Sequence, residues 1–347
     1  MTKPILYDQD NETLQGVLKE LGQPGFRLKQ LDEGLYQHHN LDFEEFTTLP
    51  KSLLEALSER FTLFPIEVKN EIISRDKQTE KFLFKLQDDN LIETVLMHYE
   101  ERHTACISTQ VGCPMGCVFC ATGKMGYTRN LTAGEILSQI IFCMRRLETD
   151  GKNLTNVVYM GMGEPFLNYE EVMRSIARLT DQKGLNFGAR RITISTVGIL
   201  PRIRQFTEAK SQVNLAISLH APNDTLRSIL MPANEFYPLK SLIEASKKYT
   251  DYTHRRVLIE YVLIDGVNDT LALADELATL LQGMLCLVNL IALNPAQDNS
   301  LKGSPREKVE AFRDRLMKRG IQTTIRLKRG IEINAGCGQL ATSQKGK

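Results

Sequence analysis

The 347-residue sequence contains no apolar run that approaches the roughly 18 residues needed by a membrane-spanning helix. It also lacks a secretory signal at its start, and no internal repeat or low-complexity segment is present. An apolar fraction of 42% and a charged fraction of 24% are typical of globular proteins with a large core. These features predict a cytoplasmic protein with one large domain and an accessory domain, and no association with a membrane.

Net charge is nearly absent as well, because 43 Lys and Arg residues balance 42 Asp and Glu residues to leave +1. Composition alone therefore does not indicate a nucleic-acid-binding protein. The charges are unevenly distributed, however. Residues 1–95 carry 11 basic and 18 acidic side chains, whereas residues 302–329 carry 10 basic and 3 acidic ones. The basic segment is either a site for a phosphate backbone or an ordinary solvated helix, and the sequence favours neither.

Cysteine is sparse except in one stretch. The seven cysteines are an odd number and are unevenly spaced, which favours metal or redox chemistry over a disulfide framework. Cys113, Cys117 and Cys120 form a C-x3-C-x2-C pattern. Iron–sulfur clusters and structural zinc normally have four protein ligands, so three cysteines would leave one iron of a four-iron cluster open. The alternatives are chance cysteines, or a zinc site completed by the distant His98 or His103.

The first 95 residues predict a small, mainly helical accessory domain that ends in a hairpin. Apolar residues recur at helical spacing in three stretches between residues 14 and 61. Two β-rich runs, 81–86 and 91–98, flank an Asp/Asn turn and predict a β-hairpin. Glu93 lies on the second strand of this hairpin.

From about residue 99 the pattern alternates between strands and helices. Such alternation predicts an α/β fold with a parallel sheet, curved into a full or partial (β/α) TIM-like barrel. Three helices begin with a polar residue followed three positions later by Glu, which is the pattern of a capping box. The polar residues are Thr132, Asn168 and Ser304, and the candidate strands are 105–109, 156–160, 191–195, 213–219, 257–263, 285–293 and 322–326.

Unusual residues follow several of these strands, at the end where barrel enzymes place their active sites. Glycine permits close backbone approach, and the carboxylate of Glu164 beside such glycines can bind a charged amine or hydroxyl groups. Taken singly, each motif is explained by a glycine in a turn or by a buried histidine with its hydrogen bonds satisfied. Because all of them follow predicted strands at the same end of the sheet, together they favour a binding site. The motifs are Gly161-Met-Gly-Glu-Pro165, Ser195-Thr-Val-Gly198, Ser218-Leu-His220 and Asn294-Pro295.

The three-cysteine pattern resembles the signature of the radical S-adenosylmethionine (SAM) superfamily. In that superfamily the open iron binds SAM, and an electron from the cluster cleaves SAM to give a 5′-deoxyadenosyl radical. Further motifs, in the same order along most of the chain, resemble the RlmN/Cfr family of radical SAM RNA adenosine methyltransferases. They include Arg129-Asn-Leu131, Gly161–Pro165, Ser218–Asp224, Ile259–Val262, Gly266–Asp269 and Cys337–Leu340.

The resemblance implies a [4Fe-4S] cluster, two SAM molecules per turnover, and large-subunit (23S) rRNA and tRNA as substrates. Cys337 would be the methyl carrier, as S-methylcysteine. Cys106 would resolve a covalent RNA intermediate through a transient disulfide with Cys337, and Glu93 would be the proton acceptor. The cluster ligands would be Cys113, Cys117 and Cys120, and the SAM contacts would be Gly163, Glu164, Ser195, Ser218, Leu219, His220 and Asn294.

These residue roles suit a methylation at carbon 2 of adenine, the target that the resemblance implies. Carbon 2 of adenine is electron-poor and cannot attack the SAM methyl group by ordinary displacement, whereas a thiolate can. The methyl group on Cys337 would become a radical that adds to the ring, so that the RNA is linked to the protein. Glu93 would then take the ring proton, and Cys106 would release the product as the disulfide forms. A flavodoxin-like electron donor and a thiol reductant are implied partners, and a monomer is expected.

The sequence departs from the family pattern near the proposed methyl carrier. The family tail is more usually Asp-Ala-Ala before Cys-Gly-Gln-Leu, whereas this chain has Asn334-Ala-Gly336. Pro165 favours methylation of carbon 2, as in the RlmN branch, over methylation of carbon 8, as in the Cfr branch. The competing hypotheses are a radical SAM enzyme with a non-RNA substrate and an RNA-binding iron–sulfur sensor.

The predicted organisation has three parts. Residues 1–95 form the accessory domain, residues 99–333 form the radical SAM core, and residues 334–347 form a tail that carries the methyl-carrier cysteine. Cys143 and Cys286 lie within a helical and a strand pattern, respectively, and are expected to be buried.

Overall fold

The computed structural model describes residues 2–294, 301–326, 329–336 and 338–340. The strands in this part of the chain are β1 (Ile66–Ile73), β2 (Thr79–Leu86), β3 (Leu91–His98), β4 (His103–Cys106), β5 (Gln110–Gly112), β6 (Tyr127–Asn130), β7 (Asn156–Tyr159), β8 (Ile192–Thr196), β9 (Asn214–Ser218), β10 (Val257–Leu263), β11 (Cys286–Ala292) and β12 (Thr323–Ile325). The α-helices are α1 (Asn11–Glu20), α2 (Phe26–Tyr36), α3 (Lys51–Arg60), α4 (Ala121–Lys124), α5 (Ala133–Glu148), α6 (Tyr169–Thr180), α7 (Leu200–Glu208), α8 (Asp224–Leu230), α9 (Leu239–Thr253), α10 (Leu271–Leu281) and α11 (Arg306–Lys318). None of these helices has the length and apolar character needed to cross a bilayer.

One large sheet contains ten of the described strands, in the order β1-β2-β3-β4-β7-β8-β9-β10-β11-β12, while β5 and β6 pair with each other. Strand β4 and strands β7 to β12 run parallel to one another. Strands β1 to β4 pair in antiparallel fashion. Helices lie between successive parallel strands along the chain, which is the βαβ arrangement that buries both faces of a parallel sheet. The predicted α/β class with a mainly parallel sheet is confirmed.

The predicted hairpin is present as β2 and β3, and Glu93 lies on β3. Strand β1 was not predicted, because only Ile66 of its eight residues is buried and the strand therefore shows no hydrophobic alternation. Strand β3 also pairs with β4, so the hairpin extends the core sheet. The division between residues 1–95 and 99–333 stays a prediction, since β3 crosses the proposed limit.

One of the three predicted capping boxes forms. Thr132 accepts a hydrogen bond from the Glu135 backbone N–H, and the Glu135 carboxylate accepts one from the Thr132 N–H at 3.0 Å. The other two predictions are wrong. The Asn168 side chain donates to two loop carbonyls, and the Ser304 hydroxyl donates to the buried Asp269 carboxylate at 2.9 Å. Buried polar groups require partners, and here tertiary partners replaced the local caps.

The described part of the C-terminal tail packs against two distant elements. Lys81 Nζ on β2 donates to the Asn334 carbonyl at 3.4 Å. The Ala121 N–H, which follows the cysteine loop, donates to the Gly338 carbonyl at 2.8 Å. Gly330, four residues before the tail, has a φ of +59°, and a Cβ atom there would lie 2.7 Å from the Thr79 methyl group on β2. The tail therefore connects the hairpin with the cysteine loop.

Candidate active site

Two adjoining cavities lie at the carboxyl ends of the parallel strands, where the predicted site residues were expected. We call the first the cysteine pocket, because Cys113, Cys117 and Cys120 all line it. We call the second the tail cavity, because Gly336 and Gly338 of the tail line it. The cavities share a wall, formed by Cys120, Met160, Gly161, Ile291, Arg326 and Gly338.

The cysteine loop begins at a position that only glycine can occupy. Gly112 has a φ of +75°, and a Cβ atom there would clash with the Gly126 carbonyl oxygen, to which the Cys113 N–H donates at 2.7 Å. Burial raises the pKa of Cys113 to about 12 and that of Cys117 further still. Such thiols ionise only beside a strong cationic centre, and thiolate-bound iron provides one. The donor set therefore fits an iron–sulfur cluster.

The histidines considered for a zinc site lie elsewhere. His98 and His103 contact each other, with 3.0 Å between their Nδ1 atoms, and His98 Nε2 lies 2.7 Å from the Glu80 carboxylate. In the described part of the chain, no three His, Cys, Asp or Glu side chains converge closely enough to hold a single metal ion. Cys143 and Cys286 are buried, as predicted.

Gly163 and Glu164 line the cysteine pocket beside the cysteines. Gly163 has a φ of +107°, and a Cβ atom there would approach Gln110 to 2.7 Å, so that no side chain fits. The buried Glu164 carboxylate accepts hydrogen bonds from the Val197 N–H at 2.8 Å and the Phe166 N–H at 2.9 Å. Burial raises the pKa of Glu164 to about 7, although these donors act in the opposite direction. The carboxylate thus fixes the loop after β8 as well as lining the pocket.

The remaining predicted SAM contacts on β8 and β9 are divided between the pocket and the core. Ser195 and Ser218 line the pocket with 3.2 Å between their hydroxyl oxygens. His220 also lines it, with a φ of +61°, and its Nδ1 accepts a hydrogen bond from the Val262 N–H at 3.0 Å. Burial lowers the pKa of His220 to about 3, so the imidazole is neutral. Leu219 is fully buried and lines neither cavity.

Sequence analysis missed Arg227, which is fully buried on α8. Its guanidinium donates to the Val197 carbonyl at 2.6 Å, to the Leu219 carbonyl at 3.1 Å and to the Asn234 side chain at 2.8 Å. Burial lowers the pKa of Arg227 to about 10. Arg227 therefore joins the loops after β8 and β9, which both line the pocket. No local signal distinguishes it from a solvated arginine, because its partners are backbone carbonyls of distant segments.

The tail cavity contains the proposed resolving cysteine. Cys106 is the last residue of β4, because the strand ends three residues earlier than the predicted strand 105–109, and it lines the tail cavity with Gly336 and Gly338. Cys337 lies outside the described residues. Asn294 lines this cavity rather than the cysteine pocket. Its buried Oδ1 atom has no hydrogen-bond partner among the described residues, and such an acceptor is satisfied when a ligand donates to it.

Glu93 lines neither cavity, but it lies near the tail. Its carboxylate forms an ion pair with Lys81 Nζ at 2.9 Å, and both side chains are at most 10% exposed. Side chains two positions apart on a strand share a face, so Glu93 is on the same face of β3 as Val95 and Met97, which line the tail cavity. Lys81 also contacts the Asn334 carbonyl, which places the ion pair beside the tail.

Part of the basic segment reaches the tail cavity. Arg326 lines both cavities, and Arg329 lines the tail cavity together with Tyr99. The Arg329 guanidinium lies 4.3 Å from the Tyr99 ring centroid, and the Arg102 guanidinium lies 4.2 Å from the same ring. Cation–π pairs occur in many folds, and arginine and aromatic side chains are also the groups with which proteins hold unpaired nucleotides. Lys328, another basic residue of this segment, lies outside the described residues.

Comparison with known proteins agrees with this geometry. The family model of the radical SAM superfamily matches residues 107–277. A crystal structure of a radical SAM methyltransferase from Sphaerobacter thermophilus is 49% identical in sequence, with a TM-score of 0.95, and the match covers 97% of this chain and 99% of that chain. The fold is that of a radical SAM enzyme, a class whose cofactors are a [4Fe-4S] cluster and SAM.

More specific similarity extends over nearly the whole chain. A protein of Bacillus subtilis (strain 168) is 43% identical over 99% of this chain and 94% of its own length. A protein of Fervidobacterium nodosum is 45% identical over 98% of this chain and 97% of its own length. Both bear the name probable dual-specificity RNA methyltransferase RlmN. The chain belongs to the RlmN family of radical SAM RNA methyltransferases.

Proposed function

We propose that this protein methylates carbon 2 of a specific adenosine in 23S rRNA and in tRNA, through a methylated cysteine and a transient covalent RNA adduct. The main support for this proposal is the set of residues that line the tail cavity. Cys106 lines it together with Cys120 of the cysteine loop and with Gly336 and Gly338, which precede and follow Cys337 in the chain. A resolving thiol, a cluster cysteine and the neighbours of the methyl carrier therefore border one space. The names of the relatives support RNA as the substrate.

The residues of the cysteine pocket fit both cofactors. When bound, SAM would supply the methyl group in one molecule and, with the cluster, a radical in a second. Cys113, Cys117 and Cys120 would hold the cluster. The residues that would contact SAM are Gly163, Glu164, Ser195, Ser218, Leu219, His220 and Asn294, of which Leu219 could contribute through its backbone alone because its side chain is buried.

The chain's own thiols and carboxylate would complete the reaction on the RNA. Cys337 would carry the methyl carbon to the ring, and Glu93 would accept the proton that the ring carbon loses. Lys81 Nζ, at 2.9 Å, would hold the Glu93 carboxylate in position for this step. The Cys106 thiolate would then attack the Cys337 sulfur, so that an S–S bond forms as the bond from that sulfur to the RNA-linked carbon breaks. The released carbon would take a proton and become the product methyl group.

The proposal requires two external partners. A flavodoxin-like protein would deliver electrons to the cluster, and a thiol reductant would open the disulfide between Cys106 and Cys337 after each turnover. Both partners and both RNA substrates are available in the cytoplasm, where we place the protein. We propose that it acts as a monomer, because the described residues of a single chain line both cavities.

The modified nucleoside provides the direct test. Ribosomal RNA and tRNA from a strain that lacks the gene should have lost 2-methyladenosine, and expression of the wild-type protein should restore it. Digestion to nucleosides followed by mass spectrometry measures both. Loss of 8-methyladenosine in place of the 2-methyl product would move the target to carbon 8, and unchanged RNA would refute the RNA substrate. The purified protein should also carry one extra methyl group on Cys337, which a peptide digest detects.

A further inference from the structure

The part of the tail that follows Cys337 is held by the short helix α4. The Thr122 hydroxyl donates a hydrogen bond to the Leu340 carbonyl at 2.6 Å, and Thr122 is only 3% exposed. One residue earlier, the Ala121 N–H donates to the Gly338 carbonyl at 2.8 Å. Both donors belong to α4 and both acceptors belong to the tail. We call this pair of hydrogen bonds the α4 clasp.

Helix α4 is in turn fixed by the cysteine loop. The helix has only four residues, and a helix of that length is not stable without tertiary contacts. Its first residue, Ala121, follows Cys120 directly, and a Cβ atom on Gly123 would lie 3.1 Å from the Cys117 N atom. The helix is therefore attached to one proposed cluster ligand and packed against the backbone of another. A restraint on these two cysteines also restrains α4, and through α4 the tail.

The tail is thus held on both sides of Cys337 in the chain. On the side before it, Lys81 Nζ donates to the Asn334 carbonyl at 3.4 Å. On the side after it, the α4 clasp holds residues 338 and 340. Thr122 lines the tail cavity together with Cys106. Two anchors this close in sequence would limit the positions that the Cys337 thiol can reach, and a reacting group must be held close to its target for efficient attack.

We propose that Thr122 is a positioning residue for the Cys337 thiol, and that loading of the cluster fixes the tail through Cys120 and α4. Cys117 and Cys120 would lose their common centre when the cluster is absent, and α4 would lose the restraint that keeps its two donors in place. The methyl carrier would therefore be held in the cavity only in a protein that has its cluster. This inference rests on the proposed function in the roles of Cys337 and of the cluster cysteines.

Hydrogen–deuterium exchange of the cluster-loaded protein tests the clasp without measuring activity. The Gln339 N–H donates to the Gly336 carbonyl at 3.0 Å, so its exchange reports whether the tail keeps this conformation. Thr122→Val removes the hydroxyl at nearly constant size and leaves the Leu340 carbonyl without this donor. The peptide that contains residues 338–340 should then exchange roughly twofold to tenfold faster, the range for one neutral hydrogen bond. Thr122→Ser keeps the hydroxyl and should exchange as the wild type does.

The rate of Cys337 methylation gives a second measurement on the same variants. After addition of SAM to the cluster-loaded protein, Thr122→Val should methylate Cys337 more slowly by a similar factor, although it binds SAM with unchanged affinity. Thr122→Ser should restore the rate. Tail exchange or a methylation rate that is the same in Thr122→Val and in the wild type would overturn the role of Thr122.

Thr207→Val is the matched control. Thr207 on α7 is 4% exposed, and its hydroxyl donates to the Ile203 carbonyl at 2.7 Å, but it lines neither cavity. Its replacement removes the same kind of hydrogen bond and should change neither tail exchange nor the methylation rate. Slower methylation in Thr207→Val would attribute the effect to a general loss of stability and overturn the positioning role.

The coupling to the cluster is tested on the wild-type protein alone, so it does not depend on the folding of a variant. Removal of iron with a chelator should speed exchange of the tail peptide, while the buried strand β10 stays protected. Unchanged tail exchange, or an acceleration that β10 shares equally, would overturn the coupling.

Failure of the proposed function would give a different result. A wild-type protein that binds SAM but never methylates Cys337 would refute the methyl-carrier role, and with it the proposed function. Methylation by the wild type at a rate that Thr122→Val matches would refute only the role of Thr122.

Discussion

Gly336 and Asn294 are packed so closely that a Cβ atom on Gly336 would lie 2.4 Å from the Asn294 Nδ2 atom. The same Cβ atom would lie 2.7 Å from the Gln339 Oε1 atom, which accepts the Gly336 N–H at 2.9 Å. Because glycine has no side chain, Asn294, which follows β11, can pack against the segment that precedes Cys337. The alanine that is more usual in the family would require one of these side chains to move.

We expect Gly336→Ala to slow methylation of Cys337, because the added methyl group displaces Asn294 or Gln339 and shifts the tail. Both contacts are with the ends of flexible side chains, so the change should move the tail rather than destabilise the fold. The rate is followed by mass spectrometry of the purified protein after addition of SAM. Gly16→Ala is the control, since nothing lies within 4 Å of that position on α1 and alanine favours a helix. A normal methylation rate in Gly336→Ala would show that the contact with Asn294 is not needed.

Replacing Cys106 should trap the RNA on the protein. Cys106→Ala should still accept a methyl group on Cys337 and attack RNA, but no thiol would then release the adduct. Protein purified from cells should therefore carry covalently bound RNA, visible as a nuclease-sensitive shift on a denaturing gel. Cys337→Ala should keep its cluster and form no adduct.

Cys286→Ala provides the matched control for this experiment. Cys286 is buried on β11 and lines neither cavity, so its replacement should cost stability but release RNA normally. A Cys106→Ala protein that is inactive and free of RNA would contradict the resolving role.

Arg329 should contribute to RNA affinity through charge, and Tyr99 through stacking. Arg329→Gln should weaken binding and reduce the slope of log affinity against log salt by about 0.7–0.9, the value for one phosphate contact. Tyr99→Ala should weaken binding by about 1–3 kcal/mol with an unchanged slope. Fluorescence anisotropy at several salt concentrations measures both quantities.

The basic segment also contains the control for Arg329. Arg306 begins α11, pairs with Glu310 at 2.8 Å and lines neither cavity. Arg306→Gln should leave affinity and slope unchanged. Equal effects of the Arg306 and Arg329 replacements would indicate nonspecific attraction by the whole segment.

His220 should make the protein sensitive to acid. Its pKa is about 3 in the folded protein, because it is buried, and about 6.5 when unfolded. Between these values the unfolded chain binds a proton that the folded chain does not, so the free energy of unfolding falls as the pH is lowered. The loss is about 1.4 kcal/mol per pH unit below 6.5, and the stabilisation is complete above that value.

His220→Asn should remove this pH dependence. Asparagine tolerates the φ of +61°, and its Oδ1 atom can accept the Val262 N–H. Urea unfolding between pH 5 and pH 7 measures the slope for both proteins. Parallel slopes in the wild type and the variant would exclude His220 as the responsible group.

Local sequence patterns were sufficient to predict most of the parallel sheet. Strand β10 was predicted at residues 257–263, where the structure has it, because a buried strand between polar loops has sharp hydrophobic limits. The exposed strand β1 has no such limits and was missed. Two capping boxes failed because Asn168 and Ser304 found tertiary partners that no local pattern shows.

The sequence by itself determined the chemistry of the site, since the spacing of Cys113, Cys117 and Cys120 is local and the motifs after successive strands keep their order. Tertiary structure alone decided which groups meet. It placed Asn294 with the tail, buried Arg227 against the carbonyls of two loops, and set the Glu260 carboxylate into the wall of the cysteine pocket. The physical reason is that desolvation and hydrogen-bond partnership depend on atoms that are distant in sequence, whereas ligand type and spacing do not.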